Sequence, residues 1–150
     1  MSIIVYDPST NPLNNNEWSF PVAECIHIIG FALSIGTIAI VDLRLLGLGL
    51  RRQSAAQLAK DMAPWTLAGL AIMLTSGPVI FSSDPRMYLY NQSFRFKIAA
   101  LLVAILYHYT IHRKVALSDH PSPALGVLVG GLSLALWLSV VAGGLFIAFV

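Results

Sequence analysis

Four long apolar stretches constrain what this chain can fold into more than any other feature of the sequence. They run from about Phe20 to Leu50, Pro64 to Phe81, Phe94 to Ile111 and Pro123 to Val150. A helix needs roughly 20 mostly apolar residues to cross about 30 Å of hydrocarbon. The sequence therefore predicts an all-α integral membrane protein. We expect one four-helix bundle that runs up-down-up-down through a lipid bilayer, after a polar tail over residues 1–16.

The composition agrees with this prediction and excludes several other classes of protein. Of the 150 residues, 57% are hydrophobic and only 11% are charged, which is too little charge to cover a soluble domain of this size. A net charge of +2 does not favour a nucleic-acid partner. Cys25 is the only cysteine, which excludes a disulfide framework within one chain. The sequence holds no nucleotide-binding glycine loop and no metalloprotease motif.

Residues that favour helix starts and membrane interfaces support the four predicted spans. Pro64 is expected in the first turn of the second helix, where a missing N–H has no consequence. Ser93 is expected to cap the third helix, and Ser122 followed by Pro123 to open the fourth. The aromatic residues expected at one membrane interface are Trp18, Tyr88 and Tyr90.

The distribution of basic residues predicts the orientation of the bundle. Six of them flank the first and third connections: Arg44, Arg51, Arg52, Lys60, Arg113 and Lys114. Two flank the middle connection: Arg86 and Arg95. Because cytoplasmic loops carry an excess of Lys and Arg, both termini are predicted to lie outside. The expected location is a bacterial inner (plasma) membrane.

Ionisable residues inside the spans mark the expected functional site, because they are costly in lipid and usually face the bundle interior. On the first helix, one face carries Glu24, His27, Gly30, Ser34, Thr37 and Val41. On the third helix, one face carries Lys97, Leu101, Ala104, His108 and His112. Two helices are thus expected to turn a histidine-bearing stripe inward.

Two inward imidazoles in a helix bundle predict haem b, with His27 and His108 as candidate iron ligands. Lys97 and Arg95 could pair with the haem propionates. The simpler alternative is that each histidine only makes interhelical hydrogen bonds. Lys97 could likewise extend its amine to the membrane surface.

Three neighbouring expectations concern the surroundings of this site. Gly30 could let the edge of the ring pass, and Glu24 could orient His27 or form an ion pair with Lys97. The fourth helix offers small residues that permit close helix approach or leave room for a flat cofactor. These are Gly126, Gly130, Ser133 and Gly144, beside a packing residue, Trp137. The same glycines allow self-association.

The depths of the two histidines do not match. His27 lies seven residues past Phe20, and His108 lies fourteen past Phe94, a difference of roughly 10 Å. The alternatives are a pair of His27 and Lys97 around one outer haem, or two separate sites. The residues alone leave these open.

Polar residues near the helix ends receive no functional role at this point. His112 and His120 are expected to be solvated, and Asp42 and Arg44 to be interfacial anchors. The second to fourth predicted spans contain no acidic residue, which disfavours an ion transporter with a carboxylate relay.

Two sequence runs resemble a known family. "HIIGFALSIG" from His27, followed by Arg44, and "KIAALLVAILYHY" from Lys97 are similar to the first and third helices of HemJ-type protoporphyrinogen oxidases and related CopD-like membrane proteins. In that family the first-helix histidine and the third-helix lysine are the essential pair, associated with haem b. The resemblance therefore implies those roles for His27 and Lys97.

Several functions are compatible with these observations. The preferred one is a haem b protein that carries electrons between a membrane quinone and a redox partner on the outer face. The alternatives are a porphyrinogen-oxidising enzyme of haem synthesis, a copper-handling protein, and a membrane-anchor subunit without a cofactor.

Overall fold

The computed structural model describes residues 6–49, 52–118 and 122–149, and every regular element within them is helical. In chain order the helices are α1 (Ser19–Leu45), α2 (Ala55–Phe81), α3 (Pro85–Tyr90), α4 (Gln92–Tyr107), α5 (Arg113–Ala116) and α6 (Pro123–Leu145). A π-helical turn, His108–His112, joins α4 to α5 without a break. Short 3-10 turns cover Pro8–Thr10, Pro12–Asn14 and Phe146–Ala148.

Four segments are long and apolar enough to cross a membrane. They are Ser19–Leu45, Ala55–Phe81, Gln92–Ala116 and Pro123–Ala148, with mean hydropathies of 2.0, 1.4, 1.4 and 2.2. The predicted four-helix membrane bundle is confirmed. We call the end where α1 begins and α6 ends the outer end, and the opposite end the inner end.

The inner boundaries of the first two spans differ from the prediction. α1 ends at Leu45, because Gly47 and Gly49 adopt positive φ values of 77° and 75°, a conformation that glycine adopts readily. The predicted end, Leu50, lies outside the described residues, as does Arg51. α2 begins at Ala55, much earlier than predicted, and the Ser54 hydroxyl accepts a hydrogen bond of 3.1 Å from the Gln57 amide.

Three predicted helix starts have different outcomes. Pro64 lies inside α2, so its placement in a first turn was wrong. The third helix is capped by Asn91, whose side chain accepts from the Phe94 amide at 2.9 Å, and Ser93 lies within the helix. Ser122 caps α6 as predicted, with Pro123 as its first residue. The predicted last residue of this span, Val150, lies outside the described residues.

α1 lies between α2 and α6, and α4 packs against α6. The α1–α2 crossing is close because small residues face each other. A Cβ added to Gly69 would lie 2.6 Å from the Ser34 amide nitrogen, and one added to Gly30 would lie 2.7 Å from Ile72. In lipid such close packing, rather than the hydrophobic effect, holds helices together.

Replacing Gly69 with alanine is expected to destabilise the bundle by about 1–3 kcal/mol, because the added methyl group meets backbone that cannot move aside. Gly36→Ala is the matched control, since an added Cβ there has nothing within 4 Å. Unfolding of both variants in mixed detergent micelles, followed by circular dichroism, measures the difference. Equal stability of the two variants would contradict this account of the crossing.

The N-terminal tail is attached to the outer end of α2. The Tyr6 hydroxyl donates to the Ser82 carbonyl, and the Asn11 amide donates to the same oxygen at 2.7 Å. The Asn14 amide donates to the Ser83 carbonyl at 3.0 Å. These bonds occupy carbonyls at the end of α2 that have no partner within the helix.

The three aromatic residues predicted at this interface do not behave alike. Trp18 and Tyr90 are 75% and 79% exposed, as expected for an aromatic belt. Tyr88 is instead buried, with its ring 5.2 Å from that of Phe94 and 6.0 Å from that of Phe81. Burial raises the pKa of the Tyr88 phenol above its ordinary value. Its role is packing of the loop helix α3.

The predicted orientation can be tested with single cysteines. In a Cys25→Ser background, Ser9→Cys marks the outer end and Ser118→Cys the inner end, and both serines are exposed. With the termini outside, a membrane-impermeant maleimide should label the first variant in intact cells, and the second only after the membrane is permeabilised. The reverse labelling pattern would show that the termini lie inside and that the predicted orientation is wrong.

Candidate functional site

His27 is held in one orientation by a serine of the neighbouring helix. Its Nδ1 lies 2.9 Å from the Ser76 hydroxyl oxygen, and that hydroxyl donates its own proton to the Ile72 carbonyl at 2.6 Å. Ser76 therefore accepts the hydrogen bond from His27, which fixes the proton of the neutral ring on Nδ1. The lone pair is then on Nε2.

Lys97 reaches the same outer half of the bundle from α4. Its amine lies 3.4 Å from where a Cβ of Gly144 would be, and 5.7 Å from the centre of the Phe31 ring. His27 and Lys97, the pair that the family resemblance implies, therefore both lie in the outer half of the bundle.

The other residues predicted around this pair do not join it. Glu24 and Arg95 are exposed, and no hydrogen bond or ion pair among the described residues links either to His27 or Lys97. The space beside Gly30 is filled by Ile72 of α2. This glycine therefore serves helix packing, and the expectation that it leaves room for the edge of a ring was wrong.

A second polar cluster lies in the inner half of the bundle. His112 Nε2 lies 2.6 Å from Asp42 Oδ1, and the side chains are 2% and 0% exposed. The expectations that Asp42 is an interfacial anchor and His112 is solvated were wrong. His120 lies outside the described residues. The Arg44 Nε donates to the Gln53 carbonyl at 2.6 Å and so holds the connection after α1.

His108 belongs to this inner cluster. Its ring is stacked on that of His112, with 5.0 Å between centroids and 25° between planes. Both histidines lie in the π-helical turn, a feature that occurs frequently at functional sites. The structure does not bring His108 to His27.

His27 and His108 cannot ligate one iron in this arrangement. Asp42, which contacts the inner cluster through His112, lies fifteen residues after His27 on the same helix. That separation corresponds to about 22 Å along α1. The two histidines mark two sites, and only the outer one combines His27 with Lys97.

Four polar side-chain atoms of the inner half are buried without a hydrogen-bond partner among the described residues: Asp42 Oδ2, His108 Nδ1, His112 Nδ1 and Ser133 Oγ. A cavity of about 30 Å³ adjoins the two histidines. Its polar lining is Thr66, His108, Tyr109, His112 and Arg113. Within the described part of the chain, no three His, Cys, Asp or Glu side chains are grouped to hold a metal ion.

The sequence contained a weak signal for this inner cluster. Asp42 follows an apolar run and lies one position after the buried Val41, so a small rotation of the assumed face would have included it. His112 was already on the predicted stripe with His108. The π-helical turn that brings His112 to Asp42 has no reliable sequence signature.

Four apolar spans with ionisable side chains between them define a multi-pass integral membrane protein. The chain belongs to the family of unknown function DUF6644, which matches residues 19–150. The match includes all four spans and both polar clusters, and it begins after the N-terminal tail. Comparison with curated proteins and with solved structures gives no match.

Proposed function

We propose that this protein binds haem b at its outer site and carries electrons between a membrane quinone and a redox partner at the outer face. The observation that supports the proposal is the hydrogen bond between His27 Nδ1 and Ser76. Histidines that ligate metals usually donate their other ring N–H to an oxygen, which fixes the tautomer and the orientation of the ring. His27 has this arrangement, with Nε2 available as the ligand atom.

Lys97 is the proposed second ligand. It extends from a different helix towards the same outer half, and its amine rests against a glycine rather than a bulkier side chain. A deprotonated lysine amine carries a lone pair that can bind iron. Haem b, when bound, supplies reversible one-electron chemistry between its two iron oxidation states.

The position of the site favours electron transfer to an outer partner. His27 lies about two turns inside the start of α1, so a redox centre there would be near the outer surface. The resemblance to HemJ-type proteins supports a porphyrin cofactor, and it keeps porphyrinogen oxidation as the alternative use of the same site. A bacterial inner membrane is the proposed location.

The test is the visible absorption spectrum of the detergent-purified protein, oxidised and then reduced with dithionite. We expect a Soret band with sharp α and β bands on reduction, lost in His27→Ala. Lys97→Ala should alter the spectrum, whereas His108→Ala should leave it unchanged, because His108 lies in the inner cluster. Ser76→Ala should weaken haem retention, since mutation of such orienting partners typically lowers metal affinity about 10–100-fold.

Two outcomes would overturn the proposal. One is the absence of a Soret band even when haem is supplied during expression. The other is a normal haem spectrum that is lost in His108→Ala and kept in His27→Ala, which would move the site to the inner half. Porphyrinogen oxidation by the haem-loaded protein would select the enzymatic alternative.

A further inference from the structure

The inner cluster has no role in the proposed haem site, yet it contains the most deeply buried ionisable groups of the described chain. Asp42 and His112 are 0% and 1% exposed. A buried charge or polar group is strongly destabilising unless it is paired, and intramembrane ionisable residues usually serve a function. The hydrogen bond between these two residues satisfies only one nitrogen and one oxygen.

Two of the unpartnered atoms, the Nδ1 nitrogens of His108 and His112, belong to residues that line the cavity. Each buried polar atom left without a hydrogen bond costs about 1–3 kcal/mol. The cavity of about 30 Å³ beside His108 and His112 exceeds the roughly 10–15 Å³ that one water molecule needs. It is far below the roughly 300 Å³ of a small-molecule site. The size of the cavity therefore selects water over a quinone ring.

We propose that Asp42, His112, His108 and an internal water molecule form a proton-binding site open to the inner face. A water in this cavity has two to four polar partners to choose from, as internal waters require. They are the Nδ1 atoms of the two histidines and, as an acceptor only, the hydroxyl of Thr66, which donates to the Met62 carbonyl and is also bonded to the Thr37 hydroxyl. Tyr109 and Arg113 also line the cavity and are exposed, and Arg113 lies near the inner end of its span.

Uptake of one proton at this site conserves atoms and charge without any further reactant. A proton delivered by the water is taken by His112 Nδ1, and the proton on His112 Nε2 passes to Asp42 Oδ1 across the 2.6 Å hydrogen bond. The imidazole is then neutral again, with its proton on Nδ1, and the carboxylate has become a carboxylic acid. Release reverses these steps, and His108 Nδ1 exchanges protons with the same water.

The surroundings contain few other charges that could control the site. From α1 the titratable group is Asp42, and from α2 the cavity receives only the hydroxyl of Thr66 among polar side chains. The π-helical turn and α5 contribute His108, Tyr109, His112 and Arg113. α6 contributes the non-titrating Ser133 and Trp137, and the nearby Tyr107 hydroxyl is bonded to the Val129 carbonyl.

The absence of acidic residues from the second to fourth predicted spans disfavours a carboxylate relay in those helices, but the carboxylate of this site, Asp42, belongs to the first span. The site stands independently of the haem proposal, because none of its members contacts His27 or Lys97.

The experiment is NMR of the full chain in micelles with ¹⁵N-labelled histidine. The sequence has only four histidines, so single replacements assign every ring. In the wild type, we expect the ring-nitrogen signals of His112 and His108 to change together as protons are added to the site or removed from it. Their N–H protons should also exchange with D₂O in the folded protein.

Two variants distinguish a proton-binding site from a hydrogen bond between Asp42 and His112 that only stabilises the fold. Asp42→Asn keeps the size of the side chain and should displace the pH response of His112. His27→Gln, the matched control at the outer site, should leave both inner signals unchanged. If His112 and His108 in the wild type show neither a pH response nor exchange with D₂O, the proposal is wrong. That decisive outcome needs only the wild type, so it does not depend on whether a variant folds.

Discussion

Asp42→Ala is expected to destabilise the folded bundle by roughly 3–5 kcal/mol, the cost of breaking a buried pair by removing one partner. The substitution leaves His112 buried and without its carboxylate at 2.6 Å. Removal of the carboxyl group also leaves a void. This void lies beside the α1–α6 crossing, where Gly130 of α6 packs closely against the backbone carbonyl of Asp42. Unfolding in mixed micelles, followed by circular dichroism, measures the loss.

A double-mutant cycle separates the pair from the void. His112→Ala alone should also be strongly destabilising. The double variant Asp42→Ala, His112→Ala should lose much less stability than the sum of the two single losses, because it leaves no buried partner of this hydrogen bond unpaired. Asp61→Ala is the control, since Asp61 is an exposed carboxylate near the inner end of α2. Strict additivity of the two single changes would show that the hydrogen bond contributes nothing to stability.

The four-span fold could be predicted from the sequence because the bilayer imposes a simple length requirement on apolar stretches. The helix ends were less predictable. Pro64 was read as a helix start, yet a membrane helix tolerates proline in its interior when its surroundings satisfy the freed backbone groups. The short helix α3 was missed because its six residues carry no periodic apolar pattern.

The location of His27 and Lys97 in the same half of the bundle could be predicted, because both residues lie near helix starts, where the counting error along each helix is small. The inner cluster could not, because it depends on how α1 rotates against the π-helical turn that follows α4. Asp42 and His112 are seventy residues apart in sequence. Their contact follows from the packing of α1, α4 and α6, which hydropathy does not specify.

The bundle holds one polar cluster in each half: His27 with Ser76 in the outer half, and Asp42, His108 and His112 in the inner half, where two ring nitrogens are buried without a partner among the described residues. The space between them is filled by a core of buried side chains: Ile38, Leu70, Met73, Leu101, Ala104, Trp137 and Val140. This core forms a packed apolar barrier between the two clusters.

Trp137→Ala is expected to be the second most damaging substitution, because Trp137 is the largest fully buried side chain of that barrier at 1% exposure. Lipid is as apolar as the bundle core, so the loss comes from missing van der Waals contacts rather than from exposure to water. Truncation of a buried tryptophan typically costs about 3–5 kcal/mol, and the lower end is expected here.

The matched variant Trp137→Phe tests what the indole nitrogen does. Nε1 is buried and has no hydrogen-bond partner among the described residues. Phenylalanine keeps most of the ring and removes the unpaired N–H, so its cost should be about 1 kcal/mol or less. Leu138→Ala is the control, at a neighbouring residue that is 62% exposed. If Trp137→Phe is as destabilising as Trp137→Ala, the indole N–H donates to a bound water or ligand, and the core is not dry at that point.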